Sequence, residues 1–187
     1  QHEMYPYGFD TWVEPYHLAQ RLEGHSRPGH FRGVATVIIK LLNITRPDSA
    51  YFGQKDGQQA IMIRRLATDL DIGTEIVVLP TLRDVNGLAY SSRNAYLGPQ
   101  ERAAAPIIHL GLSGAKALWR SGERKAEALR AELSRVLASE PLISRVDYIS
   151  IADADTLEEL RTIDRRAMLS VALHIGEVRL IDNVLLE

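Results

Sequence analysis

A lysine and an aspartate follow a short apolar run in the sequence Phe-Gly-Gln-Lys-Asp, residues 52–56. The run predicts a strand that ends at Gly53, and the residues from Asp56 onward predict a helix. A lysine at the amino terminus of a helix adds its charge to backbone N–H groups that already favour an anion. Lys55 therefore suits an anionic ligand, and the adjacent Asp56 could hold a ribose hydroxyl or a metal-bound water. The pattern leaves open a surface turn in which Asp56 caps the helix.

A second polar cluster, Ser91-Ser92-Arg93-Asn94, follows the turn signal Asn-Gly at residues 86–87. That dipeptide favours a hairpin turn. Two hydroxyl groups beside a guanidinium suit phosphate oxygens, which an arginine can bind in a bidentate way. A polar loop with an incidental arginine is the alternative.

The third cluster is the basic sequence Arg-Pro-Gly-His-Phe-Arg-Gly at residues 27–33. Its two arginines and its histidine could receive a triphosphate or a carboxylate, and a solvated basic loop is the competing interpretation. A zinc site is disfavoured, because His17, His25 and His30 lack the ligand spacing of such sites and the chain has no cysteine.

Two adjacent glutamines, Gln58 and Gln59, open the helix that follows Asp56. Either side chain could bind a substrate hydroxyl or carboxylate or lie in water, and the pattern does not decide between these possibilities. His109 and His174 lie in apolar stretches, which favours packed core residues over catalysts.

These residues are positioned by a predicted βαβ unit. Residues 49–52 and 75–79 read as strands on either side of the helix after Asp56, and such strands should be parallel. Ligands of parallel sheets bind beyond the carboxyl ends of the strands, where the Gly53 loop and the segment after Leu79 both lie. An amphipathic helix over residues 34–44 precedes the unit.

The second half of the sequence predicts two helices and then three strands, over residues 99–119, 123–139, 146–151, 167–174 and 178–181. Helices followed by short strands indicate a small α+β domain. We place the domain boundary near Leu82, which gives domains 1–81 and 82–187. The acidic residues within 153–159 are typical of a capped helix start more than of an acid/base pair.

Composition narrows the function classes. The 187 residues carry a net charge of −2, so the charge of the whole chain gives no indication that it binds nucleic acid or an anionic membrane. The chain has no cysteine, which excludes disulfides. No apolar run approaches the roughly 20 residues that span a bilayer. The chain begins at Gln1 with no methionine, so we expect it to come from the interior of a longer protein, and a cytoplasmic location is compatible with its composition.

Several of these segments together resemble the pantothenate synthetase family. They are residues 24–34, 46–48, 52–56, 58–59, 84–88, 91–94 and 179–183. The resemblance implies a Rossmann-like nucleotidyltransferase domain with a parallel sheet, followed by a small α+β domain that closes over ATP. It implies an ATP-dependent ligase that joins pantoate to β-alanine through a pantoyl adenylate, releases AMP and pyrophosphate, and so makes a precursor of coenzyme A. It further implies Mg²⁺ on the triphosphate and a cytoplasmic homodimer.

Position by position, the resemblance assigns ATP binding to nine residues: Gly53, Gln54, Lys55, Asp56, Leu82, Tyr90, Ser91, Ser92 and Arg93. Four of them are the expected catalytic residues: Lys55, Ser91, Ser92 and Arg93. Substrate binding falls to Gln59, which matches the pantoate-binding glutamine, and to Arg27 and His30 near the site entrance. No protein metal ligands are assigned.

The chain departs from the family pattern at Gln54, Gly57 and Tyr90, where the family usually has glutamate, an aromatic residue, and methionine or leucine. No H-x-G-H motif, which the family carries near its amino terminus, occurs in the sequence. We therefore expect this chain alone to be inactive or nearly so. The alternatives are another adenylate-forming enzyme on the same fold, or a noncatalytic nucleotide-binding or dimerisation module.

Overall fold

A computed structural model describes residues 2–187, which form two compact units. The first contains the residues up to Gly53 together with Gly57–Leu79. The second contains Gln54–Asp56 together with Pro80–Glu187. The short turn Gln54–Asp56 thus makes its contacts in the second unit, although the chain on both sides of it belongs to the first.

The first unit is built on a two-stranded parallel sheet. Its elements in chain order are α1 (Glu23–Ser26), α2 (His30–Thr45), β1 (Ser49–Gly53), α3 (Gly57–Asp69) and β2 (Glu75–Leu79). The register of β1 and β2 runs from Ser49 opposite Glu75 to Gly53 opposite Leu79, so their carboxyl ends coincide. Both predicted strands, the helix between them and their parallel pairing are confirmed.

Helix α2 supplies much of the core of the first unit. It begins at His30, four positions before the predicted start, after Gly29 in a left-handed conformation with φ of 77°. Phe31, Ala35 and Ile39 are buried along one face at helical spacing. On α3, Met62 and Ile63 are almost completely buried.

An aromatic cluster lies in the amino-terminal segment of the first unit. The ring of Phe9 lies 5.1 Å from that of Tyr5 and 5.4 Å from that of Trp12. The Lys40 ammonium of α2 lies 4.9 Å from the Phe9 ring, and the Arg32 guanidinium lies 5.1 Å from the Trp12 ring. These cation–π contacts connect the segment to α2.

Three helices and an antiparallel sheet form the second unit. The elements are α4 (Pro99–Ala104), α5 (Ile107–Arg120), α6 (Ala126–Leu137), β3 (Ile143–Asp153), β4 (Ala167–Ile175) and β5 (Val178–Leu186). The sheet order is β3-β4-β5, and its central strand β4 is buried over nearly its whole length. Buried leucines of the helices, among them Leu112, Leu129 and Leu133, belong to the same core as this strand. The predicted α+β arrangement is confirmed.

Two predicted details of the second unit are wrong. The single helix over residues 99–119 is interrupted between α4 and α5, because Pro106 has no N–H to donate to a continuing helix. No helix starts within residues 153–159. There the carboxylate of Asp153 accepts the backbone N–H groups of Asp155 and Thr156 at 2.9 Å each and forms a turn. Burial raises the pKa of Asp153, but these N–H groups and Arg165 outweigh it and hold the pKa below its usual value.

Within the described residues 2–187, no helix combines the length and apolar character needed to cross a membrane.

Candidate active site

The turn Gln54–Asp56 is anchored by one residue of β5. Asn183 donates through Nδ2 to the carbonyl oxygens of Gln54 and Lys55, at 2.9 Å in each case. Its Oδ1 accepts a hydrogen bond of 2.7 Å from Gln54 Nε2. Asn183 is only 5% exposed. The backbone on both sides of Lys55 is therefore fixed within the second unit.

Lys55 is the cation of this turn, and its side chain is 16% exposed. Its Nζ lies 3.7 Å from the carboxylate of Asp56, which is itself half exposed. Lys55 lines a small pocket of about 10 Å³ together with Ser91, Asn94 and His109. The structure thus brings together Lys55 and Ser91, which belong to different clusters in the sequence.

The segment before Ser91 is a short hairpin-like loop, as the Asn-Gly signal predicts. Tyr90 N–H donates to the Leu82 carbonyl at 3.0 Å, and Asp84 N–H donates to the Leu88 carbonyl at 2.9 Å. The turn passes through Gly87 with φ of 95°. Leu82 and Tyr90 are 76% and 60% exposed, so both side chains are open to solvent in this unit.

Ser91 begins a short 3-10 helix, Ser92–Tyr96, and its Oγ accepts the N–H of Arg93 at 3.2 Å. Ser92 is exposed and Arg93 is partly buried. Among the described residues, the Arg93 guanidinium has no hydrogen bond or ion pair, so its five donors are free for an anion. Asn94 is buried and donates to the Ala89 carbonyl at 3.0 Å.

A buried ion pair supports both the loop and the turn. Arg83 bonds the carboxylate of Asp182 through two nitrogens, at 2.5 and 3.0 Å, and also donates to the Gly87 carbonyl at 3.2 Å. Asp182 is 4% exposed. The same carboxylate accepts the N–H of Asn183 at 2.8 Å. One arginine thus connects the Gly87 turn to the strand that holds Lys55.

His109 packs against Gly87, and its Nδ1 is buried without a hydrogen-bond partner in the part of the chain that the structure describes. Burial is the main cause that lowers the pKa of His109, and the positive charge of Arg83 lowers it further, against the opposing effect of Asp182. His109 is only partly buried, so it departs from the packed core residue that the apolar stretch favours. His174 also departs from that prediction: its Nε2 lies 2.8 Å from Arg145 in an exposed contact.

The two adjacent glutamines occupy different environments in the first unit. Gln58 is buried, accepts the N–H of Glu23 at 3.0 Å, and donates to the carbonyls of Leu18 and Arg21 at 2.8 and 2.7 Å. Gln59 is partly buried, and no hydrogen bond of its side chain is seen among residues 2–187. The hydrogen bonds of the Gln58 side chain thus stabilise the fold, while the side-chain amide of Gln59 is available to a ligand.

The basic loop lies beside an open pocket of about 390 Å³ in the first unit, whose lining includes Tyr16, Gly29 and Arg32. A nitrogen of Arg27 lies 3.3 Å from Nε2 of His30 in an exposed contact. Over the described part of the chain, no group of three or more His, Asp or Glu residues is placed to hold a metal ion.

Comparison with known proteins identifies the family. The family model described as pantoate-beta-alanine ligase matches residues 1–185. The chain belongs to the pantoate-beta-alanine ligase family. The resemblance drawn from the sequence is confirmed.

Relatives of the ligase family match nearly the whole chain. Pantothenate synthetase of Roseiflexus castenholzii is 53% identical over 185 residues, which is 99% of this chain and 66% of that protein. The crystal structure of pantothenate synthetase from Thermus thermophilus matches with a TM-score of 0.92 and 41% identity, over 98% of this chain and 66% of that one. The chain therefore spans slightly less than two thirds of the length of these relatives, and the predicted fold class is confirmed.

A third ligase relative was solved with ligands. The pantoate-beta-alanine ligase of Francisella tularensis, complexed with beta-gamma ATP and beta-alanine, is 36% identical with a TM-score of 0.69, over 98% of this chain and 61% of that one.

Sequence reasoning missed the Arg83–Asp182 pair and the role of Asn183. The two halves of the pair are 99 positions apart, and no local pattern connects them. One signal was present, since Asp182 and Asn183 end a segment that carries the resemblance.

Proposed function

We propose that this protein acts in the ATP-dependent condensation of pantoate with β-alanine to pantothenate. The proposal is carried by the setting of Lys55. This lysine is a largely buried cation, and the peptide groups on both sides of it are fixed by hydrogen bonds. It lines the same pocket as Ser91. Membership of the pantoate-beta-alanine ligase family supports the choice of this reaction. The relative solved with beta-gamma ATP and beta-alanine supports ATP and β-alanine as ligands.

The proposed reaction has two steps. The pantoate carboxylate attacks the α-phosphorus of ATP, which forms pantoyl adenylate and releases pyrophosphate. The amine of β-alanine then attacks the acyl carbon, and AMP leaves as the amide forms. Negative charge moves onto phosphate oxygens in the first step, so positioned cations and N–H donors are the main means of catalysis.

Within this scheme Lys55 and Arg93 bind phosphate oxygens, and the hydroxyls of Ser91 and Ser92 donate to them. Lys55 is held in place by its turn, whereas the Arg93 guanidinium forms no hydrogen bond or ion pair with the described residues. Because an arginine can bind two oxygens at once, it suits the leaving pyrophosphate.

Adenosine contacts fall to the turn and the loop. Asp56 is half exposed beside Lys55 and is able to accept a hydrogen bond from a ribose hydroxyl. Leu82 and Tyr90 are solvent-exposed and joined by a backbone hydrogen bond. We assign them to the adenine side of the ligand, together with backbone contacts from Gly53 and Gln54.

Pantoate binding falls to Gln59, whose amide has no partner among the described residues and so offers a donor and an acceptor. Arg27 and His30 are assigned to the entrance for the substrate carboxylates. Their exposed contact leaves the remaining donors of Arg27 accessible.

Mg²⁺ fits the proposal as an ion held mainly by ATP. It is usually bound through one or two carboxylates and substrate phosphates, and Asp56 is a half-exposed carboxylate beside Lys55. Asp182 is already paired with Arg83. When bound, Mg²⁺ would shield the charge of the triphosphate.

Four further expectations complete the proposal. The domains are divided as 1–81 and 82–187, the protein is cytoplasmic, and it forms a homodimer. The 187-residue chain by itself has little ligase activity, since no H-x-G-H sequence occurs in it. The competing function is a noncatalytic nucleotide-binding or dimerisation module.

Calorimetric titration of the chain with Mg²⁺ATP tests the proposal. Lys55→Ala and Arg93→Ala are each expected to weaken binding about tenfold or more, because a hydrogen bond to a charged group contributes about 1.5–3 kcal/mol. Arg102→Ala, an exposed arginine of α4, is the matched control and should bind as the parent does. No ATP binding by the folded chain would remove the proposal for this polypeptide and leave only a structural module.

Gln59 separates the ligase from other adenylate-forming enzymes. Gln59→Ala should weaken pantoate binding about fivefold, which corresponds to one neutral hydrogen bond of about 1 kcal/mol. The ATP affinity should stay within about twofold, since Gln59 is assigned no contact with ATP. An equal loss of affinity for both ligands would argue against its assignment to pantoate.

A further inference from the structure

We propose that Asn183 is a positioning residue for the phosphate-binding lysine, and that the Arg83–Asp182 pair holds Asn183 in the orientation this requires. The proposal rests on the proposed function, because it assigns a partner that directs Lys55 toward ATP. It adds three residues, Arg83, Asp182 and Asn183, to those expected from the sequence.

The hydrogen bonds of Asn183 control the direction of the Lys55 side chain. The carbonyl of Gln54 belongs to the peptide group before Lys55 Cα, and the carbonyl of Lys55 belongs to the peptide group after it. Asn183 Nδ2 donates to both, at 2.9 Å each. Fixing the two peptide planes that flank a Cα fixes φ and ψ there, and thereby the direction in which the Cβ points. A single side-chain amide thus aims the lysine.

Only one orientation of the amide serves this purpose. Asn183 uses both N–H donors on the turn carbonyls, and its Oδ1 accepts the Gln54 Nε2 proton at 2.7 Å. An aspartate of the same size has no donor for either carbonyl, and an apolar side chain has neither donor nor acceptor. Because Asn183 is 5% exposed, water cannot readily replace the lost donors.

The position of Asn183 is in turn set by its neighbour. Its backbone N–H donates to Asp182 Oδ1 at 2.8 Å, and both residues lie in β5 opposite Ser170 and Val171 of β4. Asp182 is almost fully buried, and the bidentate contact with Arg83 compensates its charge. Arg83 also donates to the Gly87 carbonyl, so the loop that leads to Ser91 is held from the same point.

These contacts form one chain from loop to lysine. Arg83 connects the Gly87 turn to Asp182, Asp182 holds Asn183, and Asn183 holds the peptide groups around Lys55. Lys55 and Ser91 line the same pocket. The network therefore sets the spacing between two groups that we assign to phosphate, and a displacement near 1 Å at such a site is enough for about a hundredfold loss of function.

A double-mutant cycle tests the positioning role. Mg²⁺ATP is titrated into the full chain and into Lys55→Ala, Asn183→Asp and the double variant. We expect Asn183→Asp to weaken ATP binding about tenfold or more, and to weaken it by less than about twofold once Lys55 is already alanine, because coupled residues are not additive. Additive losses in the double variant would overturn the proposal.

Two controls accompany the cycle. Asn86→Asp places the same new charge on an exposed turn of the same unit and should change ATP affinity by less than about threefold, as expected for a screened surface charge. Circular dichroism, together with Trp119 fluorescence in a Trp12→Phe background, reports whether the second unit stays folded. A loss in Asn86→Asp as large as that in Asn183→Asp would mean that added charge, and not lost positioning, weakens binding.

If Asn183→Asp does not fold, Gln54→Ala takes its place, because it removes only one anchor of a partly exposed turn. It should weaken ATP binding about two- to twelvefold in the parent, the range that corresponds to one neutral hydrogen bond of about 0.5–1.5 kcal/mol, and have no effect in Lys55→Ala. An unchanged ATP affinity in Gln54→Ala would overturn the proposal. An unchanged affinity in Lys55→Ala would instead remove the proposed function, so the two failures are distinct.

Discussion

Replacement of Gln58 by alanine is expected to destabilise the first unit much more than the same replacement of its neighbour Gln59. Gln58 is 5% exposed and satisfies three backbone groups of the segment before α2: the Glu23 N–H and the carbonyls of Leu18 and Arg21. A buried hydrogen bond contributes about 1 kcal/mol net, so three of them give a loss of about 3 kcal/mol, within a range of about 2–4 kcal/mol.

Urea unfolding monitored by Trp12 fluorescence measures this loss. The chain has two tryptophans, and Trp119 lies in α5 of the second unit, so a Trp119→Phe background leaves Trp12 as a probe of the first unit. Gln59→Ala is the matched control and should change the free energy of unfolding by less than about 0.5 kcal/mol, as is usual for a site without such contacts. A loss below about 1 kcal/mol in Gln58→Ala, or equal losses in both variants, would refute the reasoning.

Three shorter predictions concern the loop that leads to Ser91. Gly87→Ala should lower the free energy of unfolding by more than about 2 kcal/mol, for two reasons. Alanine is strained at the positive φ of 95°, and its Cβ would lie only 2.7 Å from His109 Cδ2. Gly122→Ala is the control, because Gly122 has a φ of 108° but open space around it. It should lose only the backbone strain of about 1–2 kcal/mol. Equal urea midpoints for the two variants would contradict the steric clash proposed at Gly87. An NMR titration should place the pKa of His109 below about 6.5, its value in the unfolded chain. As the pH falls below about 6.5 the unfolded chain takes up a proton before the folded chain does, so His109 lowers the free energy of unfolding there. A titration midpoint at or above about 6.5 would contradict the burial argument. Asp84→Ala should lower the urea midpoint by an amount equivalent to about 1–2 kcal/mol, since its carboxylate accepts two backbone N–H groups of the turn at 3.0 Å, and no change would mean that the turn forms without it.

The parallel βαβ unit could be predicted from the sequence because each boundary has a local cause. The run at β1 ends at Gly53, and that at β2 ends at Leu79 before a proline. Apolar runs of this length bounded by glycine or proline are typical strands, and a helix between two of them makes the pairing parallel. The clusters around Lys55 and Arg93 were found for the same reason, since charged residues stand directly after elements or turns.

Local patterns failed where the decisive contact was distant or a residue type has two uses. Gln58 and Gln59 are identical in type, and only the structure shows that the first bonds a segment 35 to 40 positions away. Asp153 has the sequence of a helix cap, but its carboxylate caps a turn. Asn183 reaches the Lys55 turn across 128 positions, which no periodicity can encode.

The turn Gln54–Asp56 limits how the two units can be expressed as separate fragments, because it belongs to the second unit. A fragment made of Pro80–Glu187 alone would be contiguous in sequence but would lack three residues of its own folding unit. The amide of Asn183 would lose both of its acceptors, and each lost hydrogen bond contributes about 0.5–1.5 kcal/mol net. Dissection at Pro80 would therefore leave the place of this turn beside Asn183 unoccupied. A peptide carrying Gly-Gln-Lys-Asp-Gly could be supplied to fill it, and swapped or permuted versions of this domain need those residues grafted in.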